Sequence, residues 1–208
     1  MASLRIRIVL SSILFFLAGN LLAETAMDNF SQTNKPQAGD TIAVIKTNQG
    51  VIKAVIFTAI VPNAASNFVD LAKQEKYNNV PFHRIIKGFM IQGGDFANRN
   101  GTGGYSAKGP DTTIEDEYSP KLSHIRGALA WAKTNRPKSI GSQFFIVHAD
   151  SHFLDHKTGS GPADGYTVFG QVVDGLDVLD KIATTRTAHG DAPLSPMTIE
   201  SVTIEQMK

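Results

Sequence analysis

The chain has 208 residues, of which 42% are hydrophobic and 19% are charged, and its formal net charge is +1 at pH 7. This composition is typical of one globular domain of moderate size. The charge is nearly balanced, so neither nucleic acid nor an anionic membrane surface is expected as a partner. The sequence contains no cysteine, which excludes thiol catalysis, disulfides and cysteine-ligated metal.

The N-terminus has the three parts of a secretory signal peptide. Arg5 and Arg7 precede the apolar run 8–18, and the small residue Ala23 follows shortly after. We predict a signal peptide over residues 1–23, cleaved after Ala23. The alternative is an uncleaved anchor, but the apolar run is shorter than the roughly 20 residues that a membrane-spanning helix needs.

The segment after the signal peptide is polar. Residues 24–39 lack hydrophobic periodicity and predict a flexible linker, so a single folded domain is expected over residues 40–208. Cleavage after residue 23 would leave 18 basic and 19 acidic residues. The mature protein therefore also lacks the positive charge that a polyanion would attract.

Strands dominate the predicted domain. Thr41–Thr47 and residues 51–57 are rich in β-branched residues, and the turn residues between them predict a hairpin. Further strands are predicted over residues 127–132, 142–149, 167–173 and 198–205. Two helices are predicted: one begins at Pro62 with Ala65, Phe68, Leu71 and Ala72 on one face, and the other spans residues 176–183. This pattern indicates an antiparallel sheet or a closed barrel.

Three motifs that could carry chemistry have simpler interpretations. The glycine-rich segment 93–104 lacks the lysine of a phosphate-binding loop, so it predicts a loop at a strand end. His148, His152 and His156 are spaced by four, but the first lies in a predicted strand, where this spacing does not form a metal site. Ser142 lacks the Gly-x-Ser-x-Gly frame of a serine hydrolase.

The stretch "FHRIIKGFMIQGGDF", residues 82–96, places Arg84 and Gln92 among apolar side chains. Burying an unpaired guanidinium is costly. One interpretation is a partly buried ion pair of Arg84 with Asp95 or Glu115. The other is a groove with an apolar floor and a few fixed hydrogen-bonding groups, suited to a ring-shaped apolar ligand beside a polar backbone.

The same stretch, with "GSQFFI" and "FLDH…GYTVFGQVVDGLDVLDKI", resembles the cyclophilin family of peptidyl-prolyl cis-trans isomerases, in its bacterial exported branch. The resemblance covers nearly all of residues 40–208 with every block in order. It implies a mainly β fold, a closed eight-stranded antiparallel barrel capped by two helices, with the substrate groove on the outside. It also implies an isomerase that needs no cofactor, a periplasmic location, and a monomer.

The resemblance also assigns site residues by motif. Catalytic roles fall on Arg84, Phe89 and Gln92. Contacts with substrate are implied for Met90, Ala132, Lys133, Gln143, Phe145, Phe153, Leu154 and Tyr166. The expected partners are proline-containing peptides and unfolded exported proteins.

Three positions depart from the family pattern. Lys133 replaces a more familiar asparagine, whose contacts run largely through backbone. Phe153 replaces the tryptophan of the best-known eukaryotic members, whose indole N–H helps to hold cyclosporin, so weak cyclosporin binding is expected. Tyr166 replaces a histidine that often lines the pocket. Two other functions stay open at this stage: a module that binds proline-containing segments with little catalysis, and a structural scaffold.

Overall fold

The computed structural model describes residues 30–157 and 164–208. The chain divides into two units, Met1–Asn34 and Lys35–Lys208. The predicted signal peptide and residues 24–29 of the predicted linker lie outside the described residues. In the second unit, Gly39 N–H donates to the Met207 carbonyl at 2.8 Å, and Met207 N–H donates to the Asp40 carbonyl at 2.8 Å. The start of this unit is therefore paired with its C-terminal end.

The described residues form one antiparallel sheet of nine strands. These are β1 Thr41–Thr47, β2 Gly50–Ile56, β3 Val80–Pro81, β4 Arg84–Ile86, β5 Met90–Gly93, β6 Ala128–Trp131, β7 Phe144–Val147, β8 Val168–Asp174 and β9 Thr198–Gln206. Their order in the sheet is β3-β9-β1-β2-β8-β6-β7-β5-β4. The two edge strands, β3 and β4, are separated in the chain by Phe82 and His83 alone, so the sheet curls until its edges meet.

The sheet has nine strands rather than the expected eight, because its closure bends one extended segment. The chain bends at Phe82 and His83, which divides one extended segment into β3 and β4. Phe82 N–H still donates to the Met197 carbonyl, and Ile85 N–H donates to the Asp191 carbonyl, both at 2.8 Å. The curled, mainly β architecture with two helices is otherwise the one expected.

The predicted hairpin is confirmed between β1 and β2. Thr47 and Gly50 are direct partners in the register, so Asn48 and Gln49 form a two-residue turn. Gly50 has a φ of +138°, a conformation that favours glycine. The Thr47 hydroxyl donates to the Gly50 carbonyl at 2.7 Å and accepts from Gln49 N–H at 3.1 Å.

Two α-helices and one 3-10 turn complete the described fold. Helix α1 spans Pro62–Lys73 and buries the predicted face of Ala65, Phe68, Leu71 and Ala72. Helix α2 spans Leu176–Ala183, and a 3-10 turn spans His152–Leu154. None of the described helices is long and apolar enough to cross a membrane.

The barrel interior is filled by aromatic rings. Trp131 is fully buried, stacks on Phe169 with ring centroids 4.6 Å apart, and donates from Nε1 to the Ala64 carbonyl at 3.2 Å. Phe68 contacts Phe144 and Phe169 at 5.4 and 5.1 Å. Such rings contribute large buried apolar areas. Because successive residues of a strand face opposite ways, Phe144 faces this core and the next residue faces outward.

Candidate active site

The register of three neighbouring strands places the central site residues in one row. Arg84 in β4 is paired with Gln92 in β5, and Gln92 is paired with Phe145 in β7. Phe145 is in turn paired with Ala130 in β6. Directly opposite residues of antiparallel strands lie on the same face. Arg84, Gln92 and Phe145 therefore share the outer face of the sheet.

Arg84 is anchored by Asp191. Its Nε lies 3.3 Å from Asp191 Oδ2, and the side chains are 42% and 41% exposed. Ile85 N–H donates to the Asp191 carbonyl at 2.8 Å, so backbone and side chain hold the loop together. The two terminal amino groups of Arg84 make no hydrogen bond within residues 30–157 and 164–208. These donors are therefore available to a ligand in the groove.

The sequence suggested Asp95 or Glu115 as the ion-pair partner of Arg84, and both suggestions were wrong. Asp95 accepts hydrogen bonds from its own loop, and Glu115 pairs with Lys138 at 2.5 Å. The ion pair itself exists, at the groove surface and with Asp191.

Gln92 belongs to a chain of side-chain amides. Gln143 Nε2 donates to the carbonyls of Gly101 at 3.0 Å and Gly103 at 2.8 Å. These two acceptors fix the orientation of the Gln143 amide, because a carbonyl can only accept. Gln143 Oε1 then accepts from Gln92 Nε2 at 3.0 Å. This bond turns the Gln92 oxygen away from Gln143, where it can accept a hydrogen bond.

The glycine-rich loop that ends this amide chain is held by Asp95. The fully buried Asp95 carboxylate accepts from Asn98 N–H through Oδ1, and from the N–H groups of Asn100, Gly101 and Gly103 through Oδ2. Burial would raise the pKa of Asp95, but the backbone donors outweigh it and lower that pKa below its ordinary value. The segment 93–104 thus wraps around an internal carboxylate.

The apolar part of the site is built around Phe145. Its ring packs edge-on against Tyr166 with centroids 5.8 Å apart and stacks on His124 at 5.9 Å. Met90 lies on the same face as Gln92, two residues away, and is 2% exposed. Tyr166 N–H donates to the Leu154 carbonyl at 3.0 Å, which joins these two predicted pocket residues. Together these residues form an apolar surface around the Phe145 end of the row.

Phe89 and Phe153 form a separate aromatic pair. Their ring centroids lie 5.6 Å apart, and Phe153 is 71% exposed. Phe153 lies in the 3-10 turn next to Leu154. Phe153 with Phe89 therefore extends the apolar surface of the site to solvent.

Sequence reasoning missed His124. Its side chain is 1% exposed, and Nδ1 lies 2.6 Å from Asp155 Oδ1. Asp155 also accepts from the Ser123 hydroxyl at 2.5 Å and from His124 N–H at 2.8 Å. Burial lowers the pKa of His124, although Asp155 opposes this shift. The residue was missed because a lone histidine before a strand carries no signal, and its partner lies 31 residues away.

The Lys133 side chain is paired inside the protein, which leaves the expected contact with substrate to its backbone. Its Nζ lies 3.0 Å from Asp116 Oδ1, and the two side chains are 2% and 5% exposed. Nζ also lies 5.8 Å from the ring centroids of Tyr118 and Tyr166. The lysine side chain is therefore directed inward, behind Tyr166, and only its backbone can reach a ligand.

A cavity of about 270 Å³ adjoins the row of polar residues. Gln92, Gln143 and Ala132 are among the residues that line it. The carbonyl of Gln143 already accepts from Ala132 N–H at 2.9 Å. The cavity gives room for a group next to the side-chain amides of Gln92 and Gln143.

Ser142 and the three histidines spaced by four, for which the sequence predicted no chemical role, make hydrogen bonds within the fold. Ser142 is fully buried and donates to the Gly94 carbonyl at 2.6 Å. His148 bonds to Gly88 and Asp180, His152 to Ser123, and His156 to the Asp164 carbonyl. No group of three possible metal-ligating side chains occurs in the described part of the chain.

Known proteins share this fold and these motifs. The family model described as cyclophilin type peptidyl-prolyl cis-trans isomerase/CLD matches residues 42–204. Peptidyl-prolyl cis-trans isomerase B of Escherichia coli is 42% identical over 164 residues, covering 77% of this chain and 97% of that protein. Peptidyl-prolyl cis-trans isomerase of Acinetobacter baylyi is 40% identical over 172 residues, covering 81% and 87%.

Solved structures of the same family have a similar fold. A cyclophilin type isomerase of Cryptosporidium parvum matches with a TM-score of 0.73 and 31% identity, over 81% of this chain and 99% of that one. A second structure of that protein, obtained in the presence of the dipeptide Ala-Pro, matches with a TM-score of 0.71 and 32% identity, over 79% and 99%. The chain belongs to the cyclophilin-type peptidyl-prolyl cis-trans isomerase family. Its biochemical activity is cis-trans isomerisation of bonds that precede proline.

Proposed function

We propose that this isomerase acts on exported proteins while they fold, and that it selectively stabilises the twisted form of the amide before proline. A planar X–Pro bond is separated from its isomer by a barrier of roughly 18–20 kcal/mol, because resonance stiffens the C–N bond. No covalent bond breaks during rotation. A catalyst therefore needs only to bind the twisted state more tightly than either planar state.

Arg84 is the group that carries this proposal. Twisting removes the amide resonance and returns a lone pair to the proline nitrogen. A terminal amino group of Arg84 can donate to that lone pair, and the guanidinium stays charged at working pH. The Asp191 contact at Nε leaves both terminal groups without a hydrogen bond among the described residues. A fixed donor directed at charge that appears only in the transition state is the most effective kind of electrostatic catalysis.

The neighbouring residues would hold the substrate in place. Gln92, oriented by Gln143, would accept from a backbone N–H of the peptide. The proline ring would lie on the apolar surface made by Phe145 and Phe89. The other apolar contacts would come from Met90, Leu154, Tyr166 and Phe153. The backbone of Ala132 and Lys133 would face the residues before proline, next to the cavity.

The location rests on the N-terminal sequence. Arg5, Arg7, the apolar run 8–18 and Ala23 support export, and we propose a periplasmic monomer that recognises proline-containing segments of unfolded exported proteins. Mass spectrometry of the protein recovered from the periplasm would give Glu24 as the first residue. An intact Met1, or recovery only from the cytoplasm, would refute the export part of the proposal.

The catalytic part is tested by exchange NMR on a short Ala-Pro peptide. The purified protein should accelerate exchange, and Arg84→Ala should reduce kcat/KM about 100-fold, the loss typical of one transition-state donor. Arg136→Ala is the matched control, because Arg136 is exposed and outside the row. Unchanged turnover in Arg84→Ala would refute the mechanism. Peptide binding without turnover in the unaltered protein would instead favour the binding-module alternative.

A further inference from the structure

The turn that carries Phe89 is attached to a histidine outside the predicted site. Ile86, Lys87, Gly88 and Phe89 form a tight turn between β4 and β5, closed by Phe89 N–H donating to the Ile86 carbonyl at 3.0 Å. Gly88 has a φ of +80°, as the third residue of a type II turn requires. Gly88 N–H points at His148 Nδ1, 2.9 Å away. The backbone N–H of His148 also donates to the Phe89 carbonyl at 2.8 Å.

The other side of the imidazole is held by helix α2. His148 Nε2 lies 3.1 Å from Asp180 Oδ1, and Arg126 contacts the same oxygen at 2.8 Å. Arg126 also donates to the His148 carbonyl at 2.8 Å. A backbone N–H can only donate, so His148 Nδ1 must accept and the proton must lie on Nε2, facing the carboxylate. The Asp180 carboxylate on α2 thus selects the tautomer that can hold the turn.

We propose that His148 is a positioning residue for Phe89, acting through the Gly88 hydrogen bond, with Asp180 fixing its tautomer. The His148 side chain is 14% exposed, so it is enclosed enough to have one orientation. The two central residues of the turn, Lys87 and Gly88, are exposed. Without this acceptor, the turn and the Phe89 ring would sample more orientations, and the pair with Phe153 would be less ordered.

This inference rests on the proposed contact of Phe89 with substrate, so its test needs readouts besides activity. The two informative variants are His148→Leu, which removes the acceptor, and His148→Asn, whose side-chain oxygen occupies nearly the place of Nδ1. In the unaltered protein, nitrogen NMR of the imidazole should show the proton on Nε2. In His148→Leu, the Gly88 amide should exchange with solvent about 10-fold faster or more, while His148→Asn should restore most of the protection.

Turnover should follow the same order. We expect His148→Leu to lower kcat/KM about 3- to 10-fold, the effect of one ordinary hydrogen bond, and His148→Asn to recover most of it. Equal loss in both variants, unchanged Gly88 exchange in His148→Leu, or a proton on Nδ1 would overturn the proposal. Phe89→Ala is measured in parallel. If that variant keeps full turnover, the proposed contact of Phe89 with substrate fails, while the exchange of Gly88 still decides whether His148 holds the turn.

Discussion

Arg84 and Asp191 are separated by 107 residues in the chain, and their side chains meet at 3.3 Å on the surface of the groove. Both are about two-fifths exposed, and exposed ion pairs contribute about 1 kcal/mol or less to stability. The pair therefore matters for the direction of the guanidinium more than for the folded state.

We therefore expect Asp191→Asn to lower the activity while leaving the stability nearly unchanged. Asparagine accepts the positive φ of 62° at this position but carries no charge to hold Arg84. We expect kcat/KM to fall about 2- to 5-fold and the free energy of unfolding to change by about 0.5 kcal/mol or less. Glu200→Gln removes the charge from another exposed pair, with Lys46, and should leave turnover unchanged. A large loss of stability with normal turnover would contradict this interpretation.

The amide chain predicts that Gln143→Glu is more harmful than its small change of shape suggests. Glutamate can still accept from Gln92, but it cannot donate to the carbonyls of Gly101 and Gly103, which would then face a carboxylate. We expect kcat/KM to fall about 10-fold. Peptide exchange NMR measures the loss. Retention of full activity would show that the orientation of Gln92 does not depend on Gln143.

The buried pair of Lys133 and Asp116 should be visible in stability. Lys133→Met leaves the Asp116 carboxylate buried without its partner, which costs about 3–5 kcal/mol in comparable cases. Urea denaturation measures the change. Lys133→Met combined with Asp116→Leu should recover most of the stability, because two apolar side chains need no pairing. If the double variant is as unstable as the single one, packing behind Tyr166 rather than charge explains the loss.

Acidification should destabilise the protein in two stages. Burial lowers the pKa of His83 and His124, which therefore take up protons more readily when unfolded, and their contribution is lost as pH falls below about 6.5. The pKa values of Asp95 and Asp155 are also lowered, because hydrogen bonds outweigh burial. Their contribution is lost below about pH 4.

Urea midpoints between pH 7 and pH 3 test this order. His124→Gln should reduce the first stage to the contribution of His83 and should leave the part of the second stage that comes from Asp95, because His124 also lowers the pKa of Asp155. A stability that rises on acidification, or a first stage unchanged by this variant, would contradict the assignment.

Phe153 predicts weak cyclosporin binding that a single change can strengthen. Phe153→Trp keeps an aromatic ring beside Phe89 and adds an indole N–H donor. We expect the dissociation constant for cyclosporin to fall about 10-fold, as one added hydrogen bond allows. Calorimetric titration gives both values. Phe153→Leu should weaken binding further, and equal affinity for all three proteins would exclude a role for this position.

Several parts of the fold follow from local sequence. The hairpin turn at Gly50, the buried face of α1 and the bounds of α2 depend on neighbours within one or two turns of chain. The number of strands did not follow, because the bend at Phe82 and His83 arises from closure of the sheet.

The site also has a part that the sequence predicted and a part that it could not predict. Motif resemblance identified Arg84, Gln92 and Phe145, and the register brings them into one row. It could not identify Asp191, Asp155 or Asp116 as partners. Hydrophobic periodicity predicts which face a residue occupies, whereas the charge it meets depends on loops that are distant in sequence.

Trp131 gives this protein a built-in optical probe of its core. It is the only tryptophan in the sequence, it is fully buried, and it stacks on Phe169 on the inner side of the sheet. Its strand is paired with the one that carries Phe145 on the outer face. Its tryptophan emission therefore reports whether the core is intact, because no tryptophan lies at the substrate site. A variant that loses turnover but keeps the native emission spectrum has lost chemistry rather than folding.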